Sequence, residues 1–259
     1  MNAGARVDVR IDARADGTIA FLTVDNRAKL NTLDRALMSE FIGKVEALGA
    51  REDLRALVLS GAGDKAFIGG ASIPQMAALN HDTARHFITL VHRTCDALRR
   101  LPVPVIARID GYALGAGLEV AVSCDLRVAT TRAKFGMPET KVGIPSVVEA
   151  ALIPPLIGYG RARELLMLGE IIDAATALRW GLVERVVAPE ALDREVETIL
   201  AALLSAGPQA VRSQKALMQQ WEKLPTDAAI AAGIEAFARA FETDEPTRML
   251  SAFAKRKRN

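Results

Sequence analysis

Two glutamates in this sequence follow segments whose residue types suit proton transfer. Glu119 comes after a stretch with three glycines (residues 111–117) and has apolar neighbours, and Glu139 ends the segment FGMPE (residues 135–139). A carboxyl group in apolar surroundings has a raised pKa, and two carboxyl groups from separate segments can divide the roles of general acid and general base. A solvated surface charge is the competing interpretation for each glutamate, and the residues alone leave both open.

Two short segments offer backbone N–H groups that could bind a negatively charged oxygen. Residues 69–72 (GGAS) precede a predicted helix over residues 73–79, and residues 115–117 (GAG) precede another helix. The first N–H groups of a helix have no partner inside it and attract negative charge. A tight turn in which Ser72 caps the helix is the alternative interpretation of the first segment.

The elements that must position these groups alternate between extended and helical patterns, which predicts an α/β fold. A hairpin is predicted around the turn Asp16-Gly17, and Asp34 is predicted to cap a helix that runs to about Leu48. Pro154 and Pro155 are predicted to break a helix, and the last part of the chain is predicted to be helical. The other main predicted elements are strands over residues 54–60, 103–109 and 125–129 and a helix over residues 83–100.

Composition limits the classes of function. Lys and Arg number 33 and Asp and Glu 31, so a net charge of +2 gives no electrostatic case for binding nucleic acid or a membrane surface. The sequence shows no signal peptide and no apolar run long enough to span a bilayer, which predicts a cytoplasmic protein. Cys95 and Cys124 are predicted to be reduced and buried. The three histidines fall within residues 81–92 at spacings that put no pair on one helical face, so no metal site is predicted.

Three other kinds of enzyme fit the residues less well. The glycines at 111, 115 and 117 have the spacing G-x-x-x-G-x-G rather than the G-x-G-x-x-G of dinucleotide-binding folds. The sequence has no G-x-S-x-G elbow of a serine hydrolase. Glycosidases also use two carboxyl groups, but they usually have aromatic clefts, and aromatic residues make up only 5% here.

Four segments in order resemble the motifs of the enoyl-CoA hydratase/isomerase, or crotonase, family, and the resemblance covers nearly the whole chain. The four segments are residues 25–33 (DNRAKLNTL), 67–76 (FIGGASIPQM), 111–125 (GYALGAGLEVAVSCD) and 135–139 (FGMPE). They are similar to N-R-P-x-x-x-N-A-L, F-x-A-G-A-D-I-x-x-M, G-x-A-x-G-G-G-x-E-L-A-x-x-C-D and F-G-x-P-E. Residues 169–187 resemble a further stretch of the family, G-x-x-x-x-A-x-x-A-x-x-x-G-L-V-x-x-V.

The resemblance implies a fold and a reaction. The fold would be a spiral of ββα units over residues 1–200 with a C-terminal helical region over residues 201–259. The reaction would be the addition of water across the α,β double bond of an enoyl-CoA thioester. The N–H groups of Ala71 and Ala116 would form the oxyanion hole for an enolate-like oxygen. Glu119 would take a proton from water and Glu139 would deliver one to the α-carbon.

The resemblance also implies the substrate's binding site and the assembly. No cofactor is expected beyond coenzyme A, which is part of the substrate, and the protein is expected to form a homotrimer or a dimer of trimers. The tail AFAKRKR (residues 252–258) is similar to the A-F-x-x-K-R-K ending that contributes to the CoA site. Residues expected to bind the acyl-CoA are Lys29, Leu30, Gly69, Gly70, Ile73, Gly115, Phe253, Lys255 and Arg256.

The sequence departs from the family pattern at several positions. Ala116 stands where glycine is most common, Ser72 replaces the usual Asp, and Pro74 replaces a usual Lys. Residues 143–155 (GIPSVVEAALIPP) replace a glycine-rich G-G-T-Q-R-L run beside the acyl pocket, and Glu149 adds a third carboxyl group there. These departures leave the preferred substrate open.

Two alternatives to a hydratase remain from the sequence. The same family includes isomerases and other enzymes that act on acyl-CoA through an enolate, and an isomerase needs only one well-placed base. A more distant alternative is a non-catalytic protein that binds acyl-CoA or RNA. The presence of both glutamates favours the hydratase, and the low net charge argues against RNA.

Overall fold

A computed structural model describes residues 4–256, without the side chain of Arg256. Its strands form a six-stranded sheet and a four-stranded sheet. The strands are β1 (Arg6–Arg14), β2 (Gly17–Asp25), β3 (Leu54–Gly61), β4 (Ala66–Ile68), β5 (Val105–Ile109), β6 (Tyr112–Leu114), β7 (Leu126–Thr130), β8 (Lys134–Gly136), β9 (Ile171–Asp173) and β10 (Arg185–Val187).

The larger sheet has the order β1-β2-β3-β5-β7-β10, and only the β1–β2 pair is antiparallel. The predicted hairpin is therefore confirmed, with a two-residue turn between Arg14 and Gly17. Both faces of the parallel strands are covered, as their nearly continuous apolar sequences require. Side chains such as Leu57 and Leu59 face the main core, and Ala56 and Val58 face a second apolar cluster.

The smaller sheet has the order β4-β6-β8-β9, with β9 antiparallel to β8. Its strands have three residues each, which is too short for an alternating pattern to show, and the residue patterns did not predict them. β4, β6 and β8 follow directly after β3, β5 and β7 of the larger sheet. This repeat confirms the α/β class and the spiral of ββα units.

Helices cover the sheets and form the C-terminal part of the chain. Asp34 caps the first helix as predicted, because its side chain accepts a hydrogen bond from the Leu37 N–H. The helices are α1 (Arg35–Gly49), α2 (Ile73–Ala77), α3 (His81–Arg100), α4 (Ala116–Val122), α5 (Ile153–Ile157), α6 (Tyr159–Leu168), α7 (Ala174–Trp180), α8 (Leu192–Ser205), α9 (Pro208–Trp221), α10 (Thr226–Ala240) and α11 (Glu245–Arg256).

Two local predictions were wrong. Pro154 and Pro155 do not break a helix but lie in the first turn of α5, where the missing proline N–H would have no partner anyway. The helix predicted over residues 73–79 ends at Ala77, and the side chain of Ser72 does not cap it.

The C-terminal region is attached to the core by apolar packing and by a buried lysine. α8 runs through the boundary predicted between residues 200 and 201, and it packs on the larger sheet with Leu192, Val196 and Leu200. Lys215 of α9 is buried, and its Nζ donates to the Asp125 carboxylate at 2.7 Å. The division of the chain at residue 200 stays a prediction.

Candidate active site

The pairing of β4 with β6 brings the segments that follow these strands together. Ile68 pairs with Ala113 in parallel register, so residues 69–71 and 114–117 leave the same edge of the sheet. A Cβ atom added to Gly117 would lie 1.9 Å from the carbonyl oxygen of Ile68. Glycine at this position therefore allows the two backbones to touch.

The N–H group of Ala71 lies between two backbone hydrogen bonds and takes part in neither. Leu33 donates to the Gly70 carbonyl at 2.8 Å and accepts from the Ser72 N–H at 2.8 Å. The N–H of Ala71 between these two bonds donates to no acceptor among residues 4–256. This group can therefore bind a ligand oxygen.

The start of α4 leaves a second N–H group of this kind. The Gly115 N–H donates to Gly136 at 2.9 Å, and the N–H groups of Leu118 and Glu119 donate to the Gly115 carbonyl at 2.8 and 3.0 Å. The Ala116 N–H between them donates to no acceptor in the part of the chain that the structure describes. The segments after two adjacent strands thus each contain an N–H group without an acceptor among residues 4–256, as an oxyanion hole requires.

Glu119 is buried in the first turn of α4, a helix with every residue buried. Its Oε1 accepts a hydrogen bond from the Ala150 N–H at 3.2 Å. Burial, followed by the negative charge of Glu139, raises the pKa of Glu119 to about 8, although the bond from Ala150 opposes this change. Glu119 therefore holds a proton at neutral pH in the free protein.

Glu139 comes from the short 3₁₀ helix Pro138–Val142 and is partly exposed. Its Oε1 lies over the Cα of Gly115, where an added Cβ would come within 2.4 Å of it. Its Oε2 accepts a hydrogen bond from the Ser146 hydroxyl at 2.8 Å. Glu139 thus lies against the residue that precedes Ala116, and Glu119, whose pKa the charge of Glu139 affects, follows Ala116 in the first turn of α4.

Leu30 lies next to Gly69. This proximity is expected if Lys29, Leu30 and Gly69 contribute to one acyl-CoA site. The Leu30 carbonyl accepts from the Gly69 N–H at 2.8 Å, and Leu30 has a left-handed backbone with φ of 54°. The neighbouring Asn31 is buried and donates from its amide to Ala66 at 2.7 Å, which anchors this loop to β4. A cavity of about 530 Å³ adjoins the loop, and Lys29 is in its wall.

Other predicted binding residues differ in how close they lie to this edge. Gly70 is the second residue after β4, and Ile73 begins α2 with an exposed side chain. Phe253 and Lys255 are on α11, which docks on α9 because Glu245 accepts from the N–H groups of residues 209 and 210. The side chain of Arg256 lies outside the described residues. The place of these three α11 residues in a CoA site stays a prediction.

The residues that contact Glu119, Glu139 and Glu149 were not identified from the sequence. Ser146 and Ala150 belong to the atypical segment 143–155, and the departure from the family pattern was the only signal for them. His92 was considered only as a metal ligand, but its Nδ1 lies 2.7 Å from Oε1 of Glu149, 57 residues away in sequence. No local pattern reveals a contact across that separation.

Neither a metal cluster nor a membrane span is present among residues 4–256. These residues include no group of three or more His, Cys, Asp or Glu side chains placed to hold a metal ion. Within the same residues, no helix has both the length and the apolar composition needed to cross a bilayer.

Comparison with known proteins gives one consistent family. A family model described as enoyl-CoA hydratase/isomerase matches residues 14–259. The crotonyl-CoA hydratase of Syntrophomonas wolfei is 36% identical over 243 residues, which are 93% of this chain and 94% of that protein. The short-chain-enoyl-CoA hydratase of Clostridium acetobutylicum is 33% identical over 94% of both chains.

Solved structures agree with this result. The crystal structure of an enoyl-CoA hydratase from Bacillus anthracis superposes with a TM-score of 0.90 at 31% identity and covers 96% of both chains. An enoyl-CoA hydratase from Mycobacterium smegmatis superposes with a TM-score of 0.91 at 30% identity and again covers 96% of both chains.

Proposed function

The chain belongs to the enoyl-CoA hydratase/isomerase family, and from that premise we propose that it is an enoyl-CoA hydratase. The observation that carries the proposal is the meeting of two unused N–H donors with two carboxyl groups at one edge of the smaller sheet. Donors for a thioester oxygen, together with a pair that can exchange protons, are what addition of water to an enoyl thioester needs.

The N–H groups of Ala71 and Ala116 bind the thioester carbonyl oxygen and stabilise the negative charge that develops on it. Each such donor contributes roughly 3–4 kcal/mol in other enzymes with an oxyanion hole. The water oxygen forms a bond to the β-carbon as the α,β double bond opens toward the carbonyl. CoA is the carrier of the acyl group, and the reaction requires neither a metal ion nor a redox cofactor.

The two glutamates act as a pair that shares one proton. The ionised carboxylate takes a proton from the attacking water, and the protonated carboxyl delivers its proton to the α-carbon, so the pair ends with one proton as it began. The sequence assigned the first role to Glu119, but its raised pKa favours Glu119 as the proton holder. Coupled carboxyl groups titrate as a unit, and we therefore assign the chemistry to the pair.

The test is the loss of ultraviolet absorbance from crotonyl-CoA and from longer or branched enoyl-CoA esters. The purified protein is compared with Glu139→Gln, which is expected to lose about 10²–10⁴-fold in kcat because it removes one proton-transfer group. Glu170→Gln, an exposed glutamate paired with Lys141, is the matched control. Absorbance loss that is equal in all three proteins would contradict the proposal, and tight acyl-CoA binding without turnover would favour an isomerase.

We also propose that the protein assembles as a homotrimer or a dimer of trimers and acts in the cytoplasm. The support for assembly is an exposed apolar stripe on α10 and the residue that follows it, formed by Ile230, Ile234, Phe237 and Phe241. Large exposed apolar patches mark interaction surfaces. Light scattering should give a trimer or hexamer mass for the native chain and a smaller mass for Phe237→Glu, with Glu235→Lys as the control. A native monomer would contradict the assembly.

A further inference from the structure

Glu149 is a third carboxyl group buried near Glu119. It belongs to the 3₁₀ helix Val148–Leu152, and its Oε1 lies 2.7 Å from Nδ1 of His92 on α3. Either group can donate in this bond, according to the tautomer of the imidazole and the protonation of the carboxyl group. The other oxygen, Oε2, is buried and has no hydrogen-bond partner among residues 4–256. A buried polar atom without a partner costs about 1–3 kcal/mol, so this placement opposes stability.

The backbone beside Glu149 contacts the catalytic pair directly. The Ala150 N–H is shared between the Val147 carbonyl at 2.9 Å and Oε1 of Glu119 at 3.2 Å. Val148 has a φ of 42°, a left-handed conformation that a β-branched residue rarely adopts and that costs about 1–3 kcal/mol. The turn over residues 147–150 is therefore strained, and it needs an external contact to hold it.

We propose that Glu149, held by His92, is a positioning residue that fixes the turn over residues 147–150 so that the Ala150 N–H donates to Glu119. The inference rests on the proposed role of Glu119 in proton transfer. It accounts for the strained backbone of Val148, because this residue belongs to the turn that presents the Ala150 N–H to Oε1 of Glu119. His92 anchors the turn to α3, which is independent of the two strands that supply the oxyanion hole.

Several titratable groups face the two carboxyl groups of this arrangement. Glu119 faces Glu139 of the 3₁₀ helix, Glu149, and the buried thiol of Cys95 on α3. Burial and then Glu139 raise the pKa of Glu119 most, the bond from Ala150 lowers it, and the charge of Glu149 raises it.

Glu149 in turn faces His92, Asp96 and Arg99, all from α3. Burial raises the pKa of Glu149, and the hydrogen bond and charge of His92 oppose that change. Glu149 therefore affects Glu119 in two opposite ways. Its charge makes proton loss from Glu119 harder, and the turn that it holds makes proton loss easier.

Two substitutions at Glu149 separate the effect of its charge from the effect of the turn that it holds. Glu149→Gln keeps an oxygen for His92 and removes the charge, so the alkaline limb of kcat/KM near pH 8 is expected to move to lower pH. Glu149→Ala removes the same charge and also frees the turn. The bond from Ala150 affects the pKa of Glu119 more than the charge of Glu149 does, so the limb is expected to move to higher pH and kcat to fall about tenfold or more with little change in KM. Crotonyl-CoA hydration is measured over a pH range that extends on both sides of this limb.

Substitutions at His92 test the same hydrogen bond through its other partner. His92→Ala removes the hydrogen-bond partner of Glu149 and, like Glu149→Ala, is expected to lower kcat and to move the limb to higher pH. His92→Asn keeps an amide group near the position of Nδ1 and is expected to retain kcat. Glu245→Gln is the matched control, because Glu245 is also buried and bound to backbone N–H groups but lies on α11. Thermal melts of every variant report the folded fraction, so a loss of kcat in a fully folded variant is not a loss of protein.

The outcomes separate this inference from the proposed function. Opposite shifts of the alkaline limb for the two Glu149 variants support the positioning role. Shifts in the same direction, or unchanged kcat and pH dependence in folded Glu149→Ala, overturn it while native hydratase activity leaves the proposed function intact. An inactive native chain overturns the proposed function itself and with it the premise of this role.

Discussion

The carboxyl group of Glu139 occupies the space that any side chain at Gly115 would need. A Cβ atom at residue 115 would lie 2.4 Å from Oε1 of Glu139 and 3.5 Å from its Cδ. Gly115 also has a φ of 51°, which disfavours other residues. One glycine therefore both precedes α4, where the Ala116 N–H has no acceptor among residues 4–256, and leaves room for a proposed proton-transfer group.

Gly115→Ala is expected to reduce kcat about 100-fold, because a shift of about 1 Å in a catalytic group has an effect of that size. The measurement is crotonyl-CoA hydration, with a thermal melt to record the loss of stability. Gly63→Ala is the matched control, because Gly63 has a φ of 79° and no atom within 4 Å of an added Cβ. Equal activity in the two variants would show that the contact with Glu139 does not matter.

The raised pKa of Glu119 predicts how stability depends on pH. Its pKa rises from 4.5 to about 8 on folding, so between these values the folded protein holds a proton that the unfolded chain has lost. The group's contribution to stability is complete below the unfolded pKa and is lost as pH rises through the folded pKa. In Glu119→Gln this loss is absent.

Denaturant unfolding at pH 5 and pH 9 tests this expectation. The free energy of unfolding of Glu119→Gln should increase relative to the native chain by a few kcal/mol between the two values, because each pKa unit corresponds to about 1.4 kcal/mol. Glu170→Gln, on the surface, serves for comparison. A difference between Glu119→Gln and the native chain that does not change with pH would rule out the raised pKa.

Ser146 is expected to contribute to turnover rather than to binding. Ser146→Ala removes the hydroxyl that donates to Oε2 of Glu139 at 2.8 Å. Hydrogen bonds to charged groups contribute about 1.5–3 kcal/mol, so kcat should fall roughly 10- to 100-fold with KM nearly unchanged. Ser205→Ala is the control, because Ser205 is an exposed residue at the end of α8 whose hydroxyl donates to a backbone carbonyl. Normal kcat in Ser146→Ala would remove this serine from the site.

Lys215 is expected to stabilise the attachment of α9. Its Nζ donates to the carbonyls of Leu98 and Val103 and to Asp125 at 3.2, 2.9 and 2.7 Å. Lys215→Ala removes the donor from the buried carbonyls of Leu98 and Val103, whereas Asp125 keeps the Val105 N–H, and the free energy of unfolding should fall by about 1–3 kcal/mol. Lys223→Ala, at an exposed position after α9, should change it by less than about 0.5 kcal/mol. Equal unfolding free energies for both variants would contradict this role.

The sequence predicted features that depend on neighbouring residues. The glycines and apolar residues around Glu119 allowed a buried carboxyl group at a helix start as one of two interpretations, and the hairpin and the Asp34 cap were predicted from local patterns. Features that depend on distant contacts were missed. Ser146, Ala150 and His92 act on the glutamates through contacts between separate segments, and no local period marks such contacts. The short strands of the smaller sheet carry too few residues to form a pattern.

The register of those short strands also limits where the chain can change length. Ala71, Ala116 and Glu139 stand within three residues of the ends of β4, β6 and β8. One inserted residue in extended chain moves the next residues by about 3.3 Å, which exceeds the range over which a hydrogen bond can adjust. Insertions after these strands would therefore abolish the site, whereas the turn at Gly63 before β4 has open space around it. Relatives that diverge in length should thus differ in the turns before the short strands and keep the steps after them.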